Sequence, residues 1–149
     1  MVRFIKPGRV VIVLSGRNAG KKAVVVKCYD EGSKDRPFAH CLVAGVKKAP
    51  LFITPKMHEK KQERRTRVGA FIKYVNYQHI LPTRYVVSGD IDFKGVVTDE
   101  KMGSVKQRKE LRKELRNMMT KKYTSQATVK KGEKAGSLHT KFLFSKLRF

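Results

Sequence analysis

Short apolar runs separated by polar punctuation fill the first half of the chain, and apolar residues at helical spacing take over later. Val10 to Leu14 is an unbroken apolar run entered through Pro7 and Gly8. Ala23 to Val26 begins a second run that continues through Cys28 and Tyr29, and Phe38 to Val46 and Val68 to Ile80 are the third and fourth. β-Branched and aromatic residues dominate them, which predicts strands buried on one or both faces. Ser15 to Lys22 lies between the first two runs and holds Gly16, Asn18 and Gly20, residues that tolerate positive φ. A hairpin turn with positive φ at Gly20 is therefore predicted. Glu31 to Pro37 is a turn by composition. Gly45 marks a bulge or a close backbone approach late in the third strand. Phe71, Tyr74 and Tyr77 interleave with Lys73, and core packing is the expected use of these rings. Val86 to Val97 predicts two short strands broken at Ser88-Gly89-Asp90 and at Lys94-Gly95.

Two helices follow from other patterns. Thr54-Pro55 has the form of an N-cap followed by proline at the first helical position, which predicts a helix from Lys56 to about Arg67. That segment carries Lys56, Lys60, Lys61, Arg64, Arg65 and Arg67 against Glu59 and Glu63, and it has almost no apolar stripe. A helix polar all round and biased to one charge suits a phosphate-facing element. Ser104 to Gln107 has the capping-box pattern. The helix predicted from Val105 to about Lys122 places Leu111, Leu115, Met118 and Met119 on one face, which is expected to dock on the β structure. Lys106, Arg108, Lys109, Arg112, Lys113 and Arg116 occupy much of the remainder. Thr124 to Ser137 is expected to lack fixed structure away from a partner. Phe142, Leu143, Phe144, Leu147 and Phe149 form an apolar end that must be buried, on the β structure or on a neighbouring protein. The expectation is a tail that is mobile in the free protein and anchored only in an assembled particle.

Charge decides the class of partner. Among 149 residues, 35 Lys+Arg stand against 12 Asp+Glu, a formal net charge of +23. Such an excess is self-repulsive unless a polyanion neutralises it, and nucleic-acid phosphate does so with release of counterions. An anionic membrane would require an amphipathic helix with large apolar anchors or a lipidation signal, and Met1-Val2 is not a myristoylation start. Cys28 and Cys41 sit in strand-like runs and form no Cys-x-x-Cys pair, so buried free thiols in a reducing, intracellular setting are expected. His40 beside Cys41 lacks further ligands at metal-binding spacing. Gly16 to Lys21 has the form G-x-x-x-G-K, but it is one residue short for a P-loop, Lys22 replaces the required Ser or Thr, and a strand follows. The acids Glu59, Glu63, Glu110 and Glu114 lie beside Lys and Arg on basic helices, where they act as charge partners. His40, His58, His79 and His139 form no catalytic constellation. No enzyme, cofactor or small-molecule substrate is expected.

Gly8, the strand Val10 to Leu14, Ser15-Gly16, Gly20 and the strand Val24 to Val26 together resemble the KOW motif of ribosomal and transcription-elongation proteins, with Ala23 where many such motifs carry glycine. Tyr77-x-His79-x-Leu81-Pro82-Thr83-Arg84-Tyr85 resembles a signature of the eukaryotic large-subunit ribosomal protein L twenty-seven family, a KOW-domain family. Phe4-x-Lys6-Pro7-Gly8, Gly16-Arg17 through Gly20, Lys22-Ala23-Val24, Asp35-Arg36-Pro37, Leu42-Val43-Ala44-Gly45 and the terminal Lys146-Leu147-Arg148-Phe149 match it in order. The match is nearly continuous to residue 98. Beyond it, Leu138 to Phe144 stands where the family writes Gly-Lys-Asn-x-Trp-Phe-Phe, and Thr124 to Ser137 reads as extra length.

The resemblance implies a mainly β fold with helical extensions. Residues 1–98 would form an SH3-like (KOW) β-barrel with a basic helical insertion near 55–67, and residues 99–149 a basic C-terminal helix and extended arm. It implies a structural constituent of the large ribosomal subunit, cytoplasmic on the ribosome and assembled in the nucleus or nucleolus. The partners would be large-subunit ribosomal RNA and neighbouring ribosomal proteins, with no membrane. A KOW-type RNA-binding module of a transcription or RNA-processing complex is the alternative, and such proteins usually carry further domains. The candidate RNA-binding residues are Arg17, Asn18, Lys21 and Lys22 on the hairpin turn, Lys47 and Lys48 after the third strand, and Lys60, Lys61, Arg64, Arg65 and Arg67 on the polar helix. Arg84, then Lys106, Arg108, Lys109, Arg112, Lys113 and Arg116, and finally Lys146 and Arg148 complete the set. RNA is expected to be held by its phosphates and shape rather than by base sequence.

Overall fold

The apolar runs become strands because each has two faces to bury. The computed structural model describes residues 4–87, 91–93, 95–127 and 136–148. Five strands, β1 (Arg9–Val13), β2 (Lys22–Tyr29), β3 (His40–Lys48), β4 (Gly69–Asn76) and β5 (Ile80–Val86), form one antiparallel sheet in the order β4-β3-β2-β1-β5. With helices α1 (Glu59–Thr66), α2 (Asp99–Gly103), α3 (Val105–Ala127) and α4 (Gly136–Phe144), the architecture is mainly β with helical parts, that of a KOW/SH3-like fold. Side-chain alternation sorts the core into two clusters. Val11, Val13, Ala23, Val25, Cys41, Val43, Phe71, Val75 and Ile80 pack on one face. Val10, Val24, Val26, Leu42, Ala44 and Val46 face the other way, under Leu111, Leu115 and Met119 of α3 and Leu143 and Phe144 of α4. β2 is buried over its first five residues because both of its faces are covered.

A register shift between Val25 and Lys27 returns Cys28 to the Val25 face, directly opposite Cys41. Neither is in a disulfide, and burial together with the neighbouring Cys28 pushes Cys41 up to about 12, so it stays protonated at neutral pH. The hairpin turn has positive φ at Gly16 (84°) and Gly20 (72°), as the turn chemistry requires. At Gly45 the expected close approach is found, since a Cβ there would lie 2.5 Å from the Phe71 ring and 2.7 Å from Ala23 Cβ.

Three expectations are corrected. The polar helix begins at Glu59, capped by His58, whose Nδ1 accepts from Lys60 N at 3.3 Å. Thr54 to Met57 instead form a turn, because Leu51 N donates to Arg65 O at 2.8 Å and the chain must reverse before the helix starts. After β5 no strand occurs among the described residues. There, Val97 N donates to Phe93 O and Phe93 N to Ile91 O, tight turns that bury Ile91, Phe93 and Val97 singly. The turn residues 88–90 and 94 lie outside the described residues. β5 itself takes up the Leu81 to Tyr85 signature and tolerates Pro82 because it pairs only with β1, at the sheet edge.

The third correction concerns the C-terminus, which was expected as an extended, mobile arm. Residues 136–144 form α4, and Leu143 (0% exposed) and Phe144 (4%) belong to the main core. Tyr85 stacks on Phe142 at 4.0 Å, and His139 Nδ1 lies 2.8 Å from Val86 O, fastening α4 along β5. Residues 128–135, within the stretch expected to lack fixed structure, lie outside the described residues.

One carboxylate ties the start of α2 to β2 and β4. Asp99 accepts from Lys27 Nζ at 2.5 Å, from Tyr74 Oη at 3.1 Å and from Tyr29 Oη. Burial alone would raise its pKa, but hydrogen bonds from Lys27, Tyr29 and Tyr74 outweigh this and hold it below the ordinary carboxylate range.

Candidate nucleic-acid interface

α3 is two-faced by arithmetic. Leu111, Leu115 and Met119 recur every four residues and are buried, whereas Lys109, Arg112, Lys113 and Arg116 fall at i, i+3, i+4 and i+7 and are exposed. That cationic face meets Arg64 of α1, Arg67 at its C-terminal cap and Lys48 at the end of β3. The result is a groove of about 500 Å³ floored by Val68, Gly69 and Ala70. Seven cations drawn from three elements thus line one concavity. Among the described residues the one acid paired with any of them is Glu63, bound to Arg67 at 2.8 Å. This Arg67 contact lowers the pKa of Glu63.

A second groove, of about 440 Å³, shares Lys48 with the first and adds Lys47, Lys21 of the hairpin turn, and Ser145 and Lys146 after α4. Residues more than a hundred positions apart meet here because α4 packs against β2 and β5. The two grooves meet at Lys48 and together form a cationic track.

The remaining candidates are distributed otherwise. Arg17 is exposed on the turn, and Lys60 and Lys61 are exposed on α1; none of the three lines either groove. Asn18 lines a separate hollow with Arg36, Phe38, Lys73 and His79. Arg65 is half-buried and its Nε donates to Phe52 O at 2.8 Å, a structural use. Arg84 lies over the Tyr85 ring at 5.2 Å on the sheet edge. Lys106 is exposed and Arg108 half-buried near the start of α3, outside the first groove. Arg148 is exposed beside Lys146, at the far end of the track.

Lys22 is a correction. It is 4% exposed, and Nζ donates to Phe142 O at 2.8 Å, Ser145 O at 3.0 Å and Ser145 Oγ at 2.7 Å. Its ammonium also sits 3.8 Å from the Phe142 ring centroid. Lys22 therefore closes the C-terminus of α4, where a helix leaves carbonyls unpaired and favours a cation, and burial lowers its pKa. Its neighbours in sequence gave no hint, because the partner lies 120 residues away. The fold also gathers Arg36 and Lys73 beside Asn18, and Lys141 beside Lys146 and Arg148.

The ribosomal L27e protein family model matches residues 10–149. The large ribosomal subunit protein eL27 of Tetrahymena thermophila is 50% identical over 149 residues, covering all of both chains. Its counterpart from Candida albicans is 45% identical over 150 residues, and eL27B of Saccharomyces cerevisiae is 42% identical over 149, again covering both chains completely. These alignments leave no room for extra length at 124–137, so that expectation is withdrawn. The chain belongs to the ribosomal L27e protein family.

Proposed function

We propose that this protein is a structural constituent of the large ribosomal subunit that binds and stabilises ribosomal RNA, with the cationic track as its principal phosphate-binding surface. The single observation that carries the reading is the convergence of Lys48, Arg64, Arg67, Lys109, Arg112, Lys113 and Arg116 on one groove with, among the described residues, a single paired acid. Cations spaced along a groove match a phosphate backbone, which neutralises them without presenting base edges. A rigid β scaffold under α3 keeps those side chains in register. Relatives at 42–50% identity over full length are large ribosomal subunit proteins. Arg17, Asn18, Arg84, Lys106, Arg108 and Arg148 form secondary contacts in this proposal, Lys60 and Lys61 line neither groove and make none, and Lys22 and Arg65 hold the scaffold.

Residence on cytoplasmic ribosomes, nucleolar assembly and contact with neighbouring ribosomal proteins belong to the same proposal. No catalytic role is assigned, and the pairing of Glu63 with Arg67 and of Glu114 with Lys101 at 3.6 Å supports that. The test is sedimentation of the tagged chain on a sucrose gradient at moderate salt. Comigration with large subunits is expected, together with loss of it when Lys109, Arg112, Lys113 and Arg116 are all replaced by Ala. Wild-type protein remaining at the top of the gradient would overturn the proposal.

A further inference from the structure

The cationic track does not end at Lys146. Through Leu51, Ser145 and Lys146 it runs into a further groove, of about 500 Å³, whose character is different. Its floor is apolar, built by Phe144 and Tyr123, whose rings meet edge to face at 5.6 Å. Lys141, Lys146 and Arg148 rim it, and among the described residues no acid lines it. Phe52 stands at its edge, 79% exposed.

A single exposed phenylalanine is ordinary, but this one is braced. Leu51 N donates to Arg65 O at 2.8 Å, and Arg65 Nε donates to Phe52 O at 2.8 Å. The loop is thereby tied to α1 on both sides of the Phe52 backbone, so the ring is presented from a fixed base.

An occupant of this groove must bring a flat apolar face and a negative charge a short distance apart. An unpaired nucleotide carries both, as base and phosphate, whereas a duplex hides its base faces in the stack. The volume lies within the range of small-ligand sites. An acidic apolar protein segment has related chemistry. The continuity of the groove with the track favours RNA, because a strand lying along Lys48, Lys47 and Lys146 reaches Phe52 without a second partner. We infer that Phe52 stacks on an unpaired base of the bound RNA, with the flanking phosphates against Lys146 and Arg148. The inference rests on the proposed RNA track and adds single-stranded recognition to it.

The chain contains no tryptophan, so Phe52→Trp introduces one fluorophore at the site. The protein is titrated with a short oligoadenylate and with a blunt duplex of equal phosphate count. The expected result is quenched emission with the single strand and silent binding of the duplex. Phe52→Ala should lose roughly 5- to 150-fold in single-strand affinity while duplex affinity and its salt dependence stay unchanged, and Phe52→Tyr should retain binding. Wild-type single-strand affinity in Phe52→Ala would overturn the inference, as would unquenched emission at saturation, and the track would stand if the duplex still bound. Failure to bind either RNA would remove the track and this site together. Emission shifted by an acidic, aromatic-containing peptide and not by RNA would overturn the inference in favour of a protein partner.

Discussion

Lys21 and Lys22 are adjacent in sequence, yet one faces solvent and the other is buried against the end of α4. Composition alone treats them alike, because the carbonyls that claim Lys22 are supplied by Phe142 and Ser145. Lys22→Ala should therefore lower stability by about 1–3 kcal/mol through loss of its bonds to the Phe142 and Ser145 oxygens, whereas Lys21→Ala should leave it unchanged in urea denaturation. Equal melting of the two variants would show that the Lys22 contacts carry no weight. Gly20 was legible, since a tight turn between strands needs positive φ and only glycine adopts it freely. A Cβ at Gly20 meets nothing within 4 Å, so the cost of Gly20→Val is backbone strain alone, roughly 1–3 kcal/mol. The crowding at Gly45 differs in kind. Gly45→Ala forces the Phe71 ring to move, and a loss of about 1–3 kcal/mol is expected in the same assay.

Elements were read well where one pattern dominates and poorly where a distant neighbour decides. β1 to β3 and the apolar face of α3 follow from runs and spacing that any partner would respect. The onset of α1, the edge strand β5 and the docking of α4 depend on contacts from elsewhere in the chain. For α4 the earlier expectation reverses: removing residues 138–149 deletes Leu143 and Phe144 from the core, each contributing about 1.5–3 kcal/mol of burial. The truncated protein should melt well below the full chain, and an unchanged melting temperature would show that α4 is not integral. α2 offers a pH test through Asp99. Its folded pKa is depressed, so its contribution is complete above the ordinary carboxylate pKa of about 4 and is lost as pH falls through the lower folded value. Urea midpoints measured downward from pH 5 should fall more steeply for wild type than for Asp99→Asn, and parallel curves would remove Asp99 from the account.

At the scale of the whole molecule, the net charge of +23 announced a polyanion partner but not where it lies. The track is legible only in part, because the i, i+3, i+4, i+7 spacing on α3 is local while its union with Lys48, Arg64, Lys21 and Lys146 is tertiary. Lys60 and Lys61 show the converse, since half the residues of their helix are Lys or Arg and yet these two line neither groove of the track. RNA affinity measured as a function of salt tests the central claim most directly, because the slope counts the phosphates neutralised. The wild-type slope should be steep, and replacing Lys109, Arg112, Lys113 and Arg116 by Ala should flatten it by roughly three units, at about 0.7–0.9 per contact. Replacing Lys60 and Lys61 should leave it nearly unchanged. A slope that stays at the wild-type value without the four α3 cations, or that flattens with Lys60 and Lys61 instead, would contradict the account.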